Sequence, residues 1–185
     1  MWHRAGMSLM ETTLSAETLL QGIVFRVERQ EVQLADGSHS KRDIVRHAGG
    51  VGVLARTPRG TWLLVRQYRK AVETEVLEMV AGMREPGEAP EATARRELEE
   101  ETGYRALSLQ PLGLSYASPG YTDEVVHLFF AETEAAPGVS RLDHDERVQV
   151  VELDTAALRD ALIRNEIRDS KTVAAAFHAL QKGLL

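Results

Sequence analysis

Glu97, Glu100 and Glu101 stand at i, i+3 and i+4, so on a helix their three carboxylates share one face. Like charges at those spacings oppose helix formation, by roughly 0.2–0.5 kcal/mol per pair. A divalent cation reverses that penalty. Hard ions such as Mg²⁺ take oxygen ligands, often a few carboxylates together with phosphate oxygens of a substrate. Spacing alone leaves two readings open, a cation site and a solvated acidic face.

The neighbouring residues explain how such a face is positioned. Gly82, Pro86 and Gly87 lie in a loop that runs into Pro90. Proline suits the first position of a helix, where its missing N–H would have had no partner. Ala92, Ala94 and Leu98, with the surrounding Arg and Glu, favour a helix. Gly103 can supply the left-handed residue that ends it.

The 185 residues suffice for one domain with a real core and a small appended element. A hydrophobic fraction of 43% and a charged fraction of 27% are ordinary for a globular protein. The net charge of −6 lacks the basic footprint of a nucleic-acid binder, so no nucleic-acid partner is expected. With no cysteine, disulfides, thiolate metal sites and thiol nucleophiles are excluded, which fits a cytoplasmic protein. The first residues do not read as a signal peptide, and no segment approaches the roughly 20 apolar residues of a membrane span. Met7 and Met10 are alternative starts.

Along the chain, three strands are expected between Gln21 and His47: Ile23–Val27, Glu31–Leu34 and, after the turn at Asp36-Gly37-Ser38, Arg42–His47. Further strands are expected at Gly49–Ala55, Thr61–Arg69, Val76–Ala81, within Leu107–Tyr116, at Glu124–Ala131 and at Val148–Leu153. Glu132–Asp145 reads as a long polar loop, of the kind that often serves as a lid or binding loop. Asp154 or Thr155 caps a helix from Ala156 to about Asn165, and a last helix ends near Gln181 with Val173, Phe177 and Leu180 on one face. Strands mixed with three helices indicate an α+β or αβα layered fold.

The whole segment fits G-x5-E-x7-R-E-U-x-E-E-x-G-U, with U a bulky apolar residue. Gly82, Glu88, Arg96, Glu97, Glu100, Glu101 and Gly103 fill the fixed positions; Leu98 and Tyr104 fill the apolar ones, Tyr104 more loosely. This resembles the Nudix box. Gln67-Tyr68-Arg69, then Leu77-Glu78-Met79-Val80-Ala81-Gly82, and later Ser118-Pro119-Gly120, with Pro119 fifteen residues beyond Tyr104, resemble the ADP-ribose pyrophosphatase type within that family. Met79 stands where many relatives have proline.

The resemblance implies a Nudix fold, an αβα sandwich with a mixed central sheet. Residues 48–185 would be the catalytic domain, and residues 1–47 a tail and small antiparallel sheet that builds a homodimer. It implies hydrolysis of ADP-ribose to AMP and ribose 5-phosphate with Mg²⁺ or Mn²⁺, two or more ions per site. The alternatives are another nucleoside diphosphate derivative (a sugar nucleotide, NADH or a flavin nucleotide) or a non-catalytic nucleotide-sensing module. Glu97, Glu100, Glu101 and the carbonyl of Ala81 would hold the ions, with Glu100 and Glu101 also counted as catalytic. Gly82, Glu88, Arg96 and Gly103 would be structural, with Glu88 and Arg96 tying loop to helix.

Outside the box, the guanidinium of Arg69 suits phosphate oxygens. Glu78 and Pro119 are further substrate-binding candidates. Arg46 is another, weighed against a surface role. Phe25 is weighed between stacking on adenine and, the preferred reading, a place in the core. In related enzymes the base is commonly a glutamate on the loop before the last strand. That implies Glu146 here, with Asp145 and Asp143 as runners-up and a solvated acidic loop as the bland alternative.

Overall fold

The computed structural model describes residues 8–142 and 147–185. The chain forms two compact units: the segment up to Ala48 together with Ser118–Glu124, and Gly49–Ala117 together with Val125–Leu185.

The first unit is an antiparallel sheet of β1 (Thr12–Gln21), β2 (Phe25–Gln33) and β3 (His39–His47) in that order. The strand count matches expectation, but the strands differ. β1 was not foreseen: all ten of its residues are exposed, so it has no buried alternate face to reveal it. The two strands expected at Ile23–Val27 and Glu31–Leu34 are one continuous strand. Its polar middle, Glu28-Arg29-Gln30, is held by cross-strand partners such as Arg29 to Asp43 at 2.8 and 2.9 Å. Phe25, preferred as a core residue, is 40% exposed in β2. The Ser118–Glu124 segment joins this unit through Val45, whose N–H donates to the Tyr121 carbonyl at 2.7 Å and whose carbonyl accepts from Asp123 N–H at 3.2 Å.

The second unit carries a seven-stranded mixed sheet. Its strands are β4 (Gly50–Arg56), β5 (Trp62–Arg69), β6 (Thr74–Glu78), β7 (Val80–Met83), β8 (Ala106–Tyr116), β9 (Val125–Thr133) and β10 (Val148–Leu153). The main order is β10-β5-β4-β9-β8, and only β4 and β9 run parallel. β4 and β5 pair only through Ala55–Leu63 and Arg56–Trp62, then diverge. β6 adds to β5, and β7 adds to β4. The single run expected over Val76–Ala81 therefore breaks at Met79, which crosses between the diverging strands with its side chain fully buried.

Helix α1 (Pro90–Thr102) lies on one face, and α2 (Thr155–Ile163) and α3 (Ser170–Gln181) on the other. Alternation along the central strands explains the layering. Val51, Val53, Leu63 and Val65 pack with Ala94 and Leu98 of α1, while Leu54, Trp62 and Leu64 pack with Leu158 of α2 and the alanines of α3. This is the expected αβα sandwich.

In α3 the expected apolar face points outward. Val173, Phe177 and Leu180 are half exposed, and Thr172, Ala175, Ala176 and Ala179 form the buried face. Small residues let the helix lie close to the sheet, which leaves the larger ones outside. Among the described residues no helix is long and apolar enough to cross a membrane.

Candidate active site

The carboxylate face forms on α1. Pro90 opens the helix after Ala89, and Gly103 closes it in the left-handed region (φ 75°), donating its N–H to the Glu99 carbonyl at 2.8 Å. A side chain at Gly103 would also meet the Gly138 carbonyl oxygen at 2.6 Å. Tyr104 explains why a tyrosine fits an apolar box position. Its ring is buried in the α1-side core, and its hydroxyl hydrogen-bonds Glu152 at 3.2 Å.

Glu97 and Glu101 are buried charged residues on this helix, and Glu100 is half-buried beside them. Arg96 gathers the loop and the face together. Its Nε and Nη2 donate to the two oxygens of Glu88 at 3.2 and 3.1 Å, Nη2 donates to the Met83 carbonyl at 3.2 Å, and Nη1 donates to Glu97 Oε1 at 2.8 Å and Glu100 Oε2 at 2.9 Å. These partners raise the Arg96 pKa, Glu88 first, against the opposing effect of burial. Arg96 in turn pulls the Glu88 carboxyl down to about 2.

Gly82, in β7, is the cradle for Glu97. A Cβ there would stand 1.9 Å from Glu97 Cδ and 2.1 and 2.3 Å from its oxygens. Only glycine leaves that carboxylate room against the strand, next to Ala81, which pairs with Gly52 across β4. Oxygen donors of this kind, buried and gathered against a bare backbone, fit a hard divalent cation in chemistry. Among the described residues no three carboxylate or imidazole groups converge into a closed ligand set, and Arg96 takes one oxygen each of Glu97 and Glu100.

Glu78 ends β6 and is 1% exposed. Arg69, at the end of β5, grips it with Nε at 2.7 Å and Nη2 at 2.9 Å. Burial works against the Arg69 charge; Glu78, then Asp169 and Glu101, outweigh it and raise its pKa. Sequence reasoning missed two partners here. Lys171 donates to Glu78 Oε2, and Asp169 accepts from Lys171 at 2.9 Å. Lys171 lies 93 residues from Glu78, and no local pattern signals the pairing.

The polar loop after β9 is anchored on α1. Gly138 N–H donates to the Gly103 carbonyl at 2.7 Å, and Arg141 N–H to the Glu100 carbonyl at 2.8 Å. Beyond it, Val148 pairs with Gln67 of β5. Asp143, Asp145 and Glu146, the candidate bases, lie outside the described residues. Arg46 and Pro119 belong to the first unit. Arg46 donates to Glu28 at 2.9 Å and to Asp123 at 3.0 Å, and lines a cavity of about 320 Å³ with Phe25, Arg26, His47 and Asp123.

A loop–helix with this carboxylate face on a mixed αβα sandwich defines a Nudix domain. The family model described as NUDIX domain matches residues 46–175, and the chain belongs to the Nudix family. It is 43% identical over 169 residues to the ADP-ribose pyrophosphatase of Bacillus subtilis (strain 168), covering 91% of each chain. It is 40% identical over 166 residues to the Methanol dehydrogenase activator of Bacillus methanolicus, covering 89% of this chain and 90% of that one. The crystal structure of an ADP compounds hydrolase shares the fold, with a TM-score of 0.82 at 24% identity over 96% of this chain and 99% of the other.

Proposed function

We propose that this Nudix pyrophosphatase hydrolyses ADP-ribose to AMP and ribose 5-phosphate. The observation that carries the reading is the geometry of the box: Glu97 and Glu101 are buried on α1, Glu97 is seated against bare Gly82, and Arg69 is held by buried Glu78 on the strands that lead into the box. A diphosphate needs such a cation, and the carboxylates suit the ions that accompany it. The likeness to a protein named ADP-ribose pyrophosphatase over nine-tenths of the chain supports the choice of substrate.

In this reading Glu97, Glu100, Glu101 and the Ala81 carbonyl hold two or more Mg²⁺ or Mn²⁺ ions, with Gly82 keeping Glu97 in place. Bound ions supply Lewis-acid stabilisation of the charge that builds on the diphosphate oxygens. Glu146 takes the proton of a water whose oxygen bonds one phosphorus as the bridging P–O bond breaks. Glu88 and Arg96 hold loop to helix. Substrate contacts are assigned to Arg69, Arg46 and Pro119, and buried Glu78 serves substrate binding by holding Arg69. The enzyme works in the cytoplasm as a homodimer built on residues 1–47, with 48–185 as the catalytic domain.

The test is a panel of ADP-ribose, UDP-glucose, GDP-mannose, NADH and FAD with Mg²⁺, with products identified. ADP-ribose is expected to give AMP and ribose 5-phosphate at the highest kcat/KM. Turnover of none of these compounds would end the hydrolase reading, and a clear preference for another would end the ADP-ribose one. The likeness to a protein named Methanol dehydrogenase activator favours a second reading, action on a dehydrogenase. Adding the protein to a methanol dehydrogenase assay tests it directly.

A further inference from the structure

The first turn of α3 lies outside the motif, yet it grips the strand break that leads into the box. Glu78, fully buried, carries two cations. Arg69 takes both its oxygens, at 2.7 and 2.9 Å, and Lys171 Nζ donates to Oε2. The Lys171 side chain is itself 16% exposed and donates to Asp169 Oδ1 at 2.9 Å. The same turn holds the main chain: Met79 N–H donates to Thr172 Oγ1 at 2.8 Å, and Thr172 bonds to Asp169, the N-cap of α3.

This arrangement resolves a conflict in the proposed site. Arg69 is assigned to the diphosphate, but the Nε–Nη2 edge of its guanidinium is already on Glu78, so its one charge would serve both the carboxylate and a phosphate at its Nη1 side. With Arg69 as its sole counter-ion, a buried carboxylate would be under-compensated whenever that single positive charge was shared with phosphate, and an uncompensated buried charge is costly. Lys171 removes that cost because it remains on Oε2. We infer that Lys171 is a positioning residue for substrate binding, the standing counter-ion of Glu78 that lets Arg69 be shared with the diphosphate. The inference rests on the assignment of Arg69 above. Asp169 completes it by orienting Lys171 from the helix cap.

A double-mutant cycle between Lys171→Met and Arg69→Ala tests this on the intact protein. It is run on whichever compound of the panel the wild type turns over best, so that a wrong substrate does not count against Lys171. K171M is expected to raise KM about 10-fold with kcat within about threefold, as loss of ground-state binding does. K171R, which keeps the charge, restores KM to within about threefold of wild type. In the R69A background K171M changes KM less than about twofold, because the residue through which it acts is gone. K171Q replaces K171M in the cycle if the latter does not fold. An unchanged KM in K171M overturns the inference, as do equal effects in the two backgrounds or failure of K171R to rescue. A wild-type KM in R69A itself overturns the assignment of Arg69, while turnover of ADP-ribose in the same assay leaves the substrate reading intact.

Discussion

Glu101 is one helical turn from Glu97 and, like it, is a buried carboxylate on α1. Glu101→Gln keeps the shape and removes the charge. Turnover is expected to fall roughly 100-fold or more while the circular dichroism spectrum stays that of the wild type. An active E101Q would remove this carboxylate from the site. Glu146→Gln is expected to lower turnover by roughly 100-fold as well, with Mn²⁺ binding retained in a metal titration. Near-normal rates would move the base to Asp145 or Asp143. Residues inside the box were legible because their spacing is local: three carboxylates on one helix face can be read without knowing the fold. Lys171 and Asp169 were not, since they meet Glu78 only when α3 packs against the strand break, 93 residues along from Glu78 to Lys171.

Elements place the residues through backbone constraints as much as through side chains. Gly82→Ala pushes a methyl group into the Glu97 carboxylate, the mobile end of a flexible side chain. The helix can absorb that by swinging Glu97 away. The expected result is a melting temperature close to wild type with kcat/KM reduced roughly 10- to 100-fold. A collapse in stability with normal specific activity would contradict this account.

In the N-terminal sheet, Glu28 lies between Arg46 at 2.9 Å and Arg26 at 2.8 Å. Arg46 first, then Arg26, pulls its carboxyl from 4.5 to about 2. A depressed carboxylate stabilises the fold above its unfolded pKa and loses that contribution as pH falls through the folded value. Glu28→Gln should therefore melt below wild type at neutral pH, with the gap closing between pH 4.5 and about 2. A constant gap across that window would assign the pairing no weight.

Periodicity foretold the buried central strands, whose alternating faces define the two core clusters. It failed on β1, which has no buried face, and on α3, where small residues rather than the large apolar ones turn inward.

At the scale of the molecule, the contacts divide the chain beside Ala48. What no local pattern contained is that Ser118–Glu124, between β8 and β9, belongs with the N-terminal sheet through Val45, Arg46 and His47. Pro119, read from its spacing to the box, thus lies in the unit of Arg46. That sheet also has an open side. Among the described residues β1 pairs with β2 along one edge only, and its own residues, including Leu14, Leu19 and Leu20, are all exposed. A ten-residue edge carrying leucines and no lysine, arginine or proline lacks the usual protection against pairing with another chain. This supports the homodimer, because a second copy would cover the edge. Light scattering is expected to give twice the chain mass at assay concentrations. Lysines in place of both Leu14 and Leu20 should shift the protein to the single-chain mass by charging that edge. Wild type that scatters as one chain while fully active would show that the edge is left open in the working enzyme.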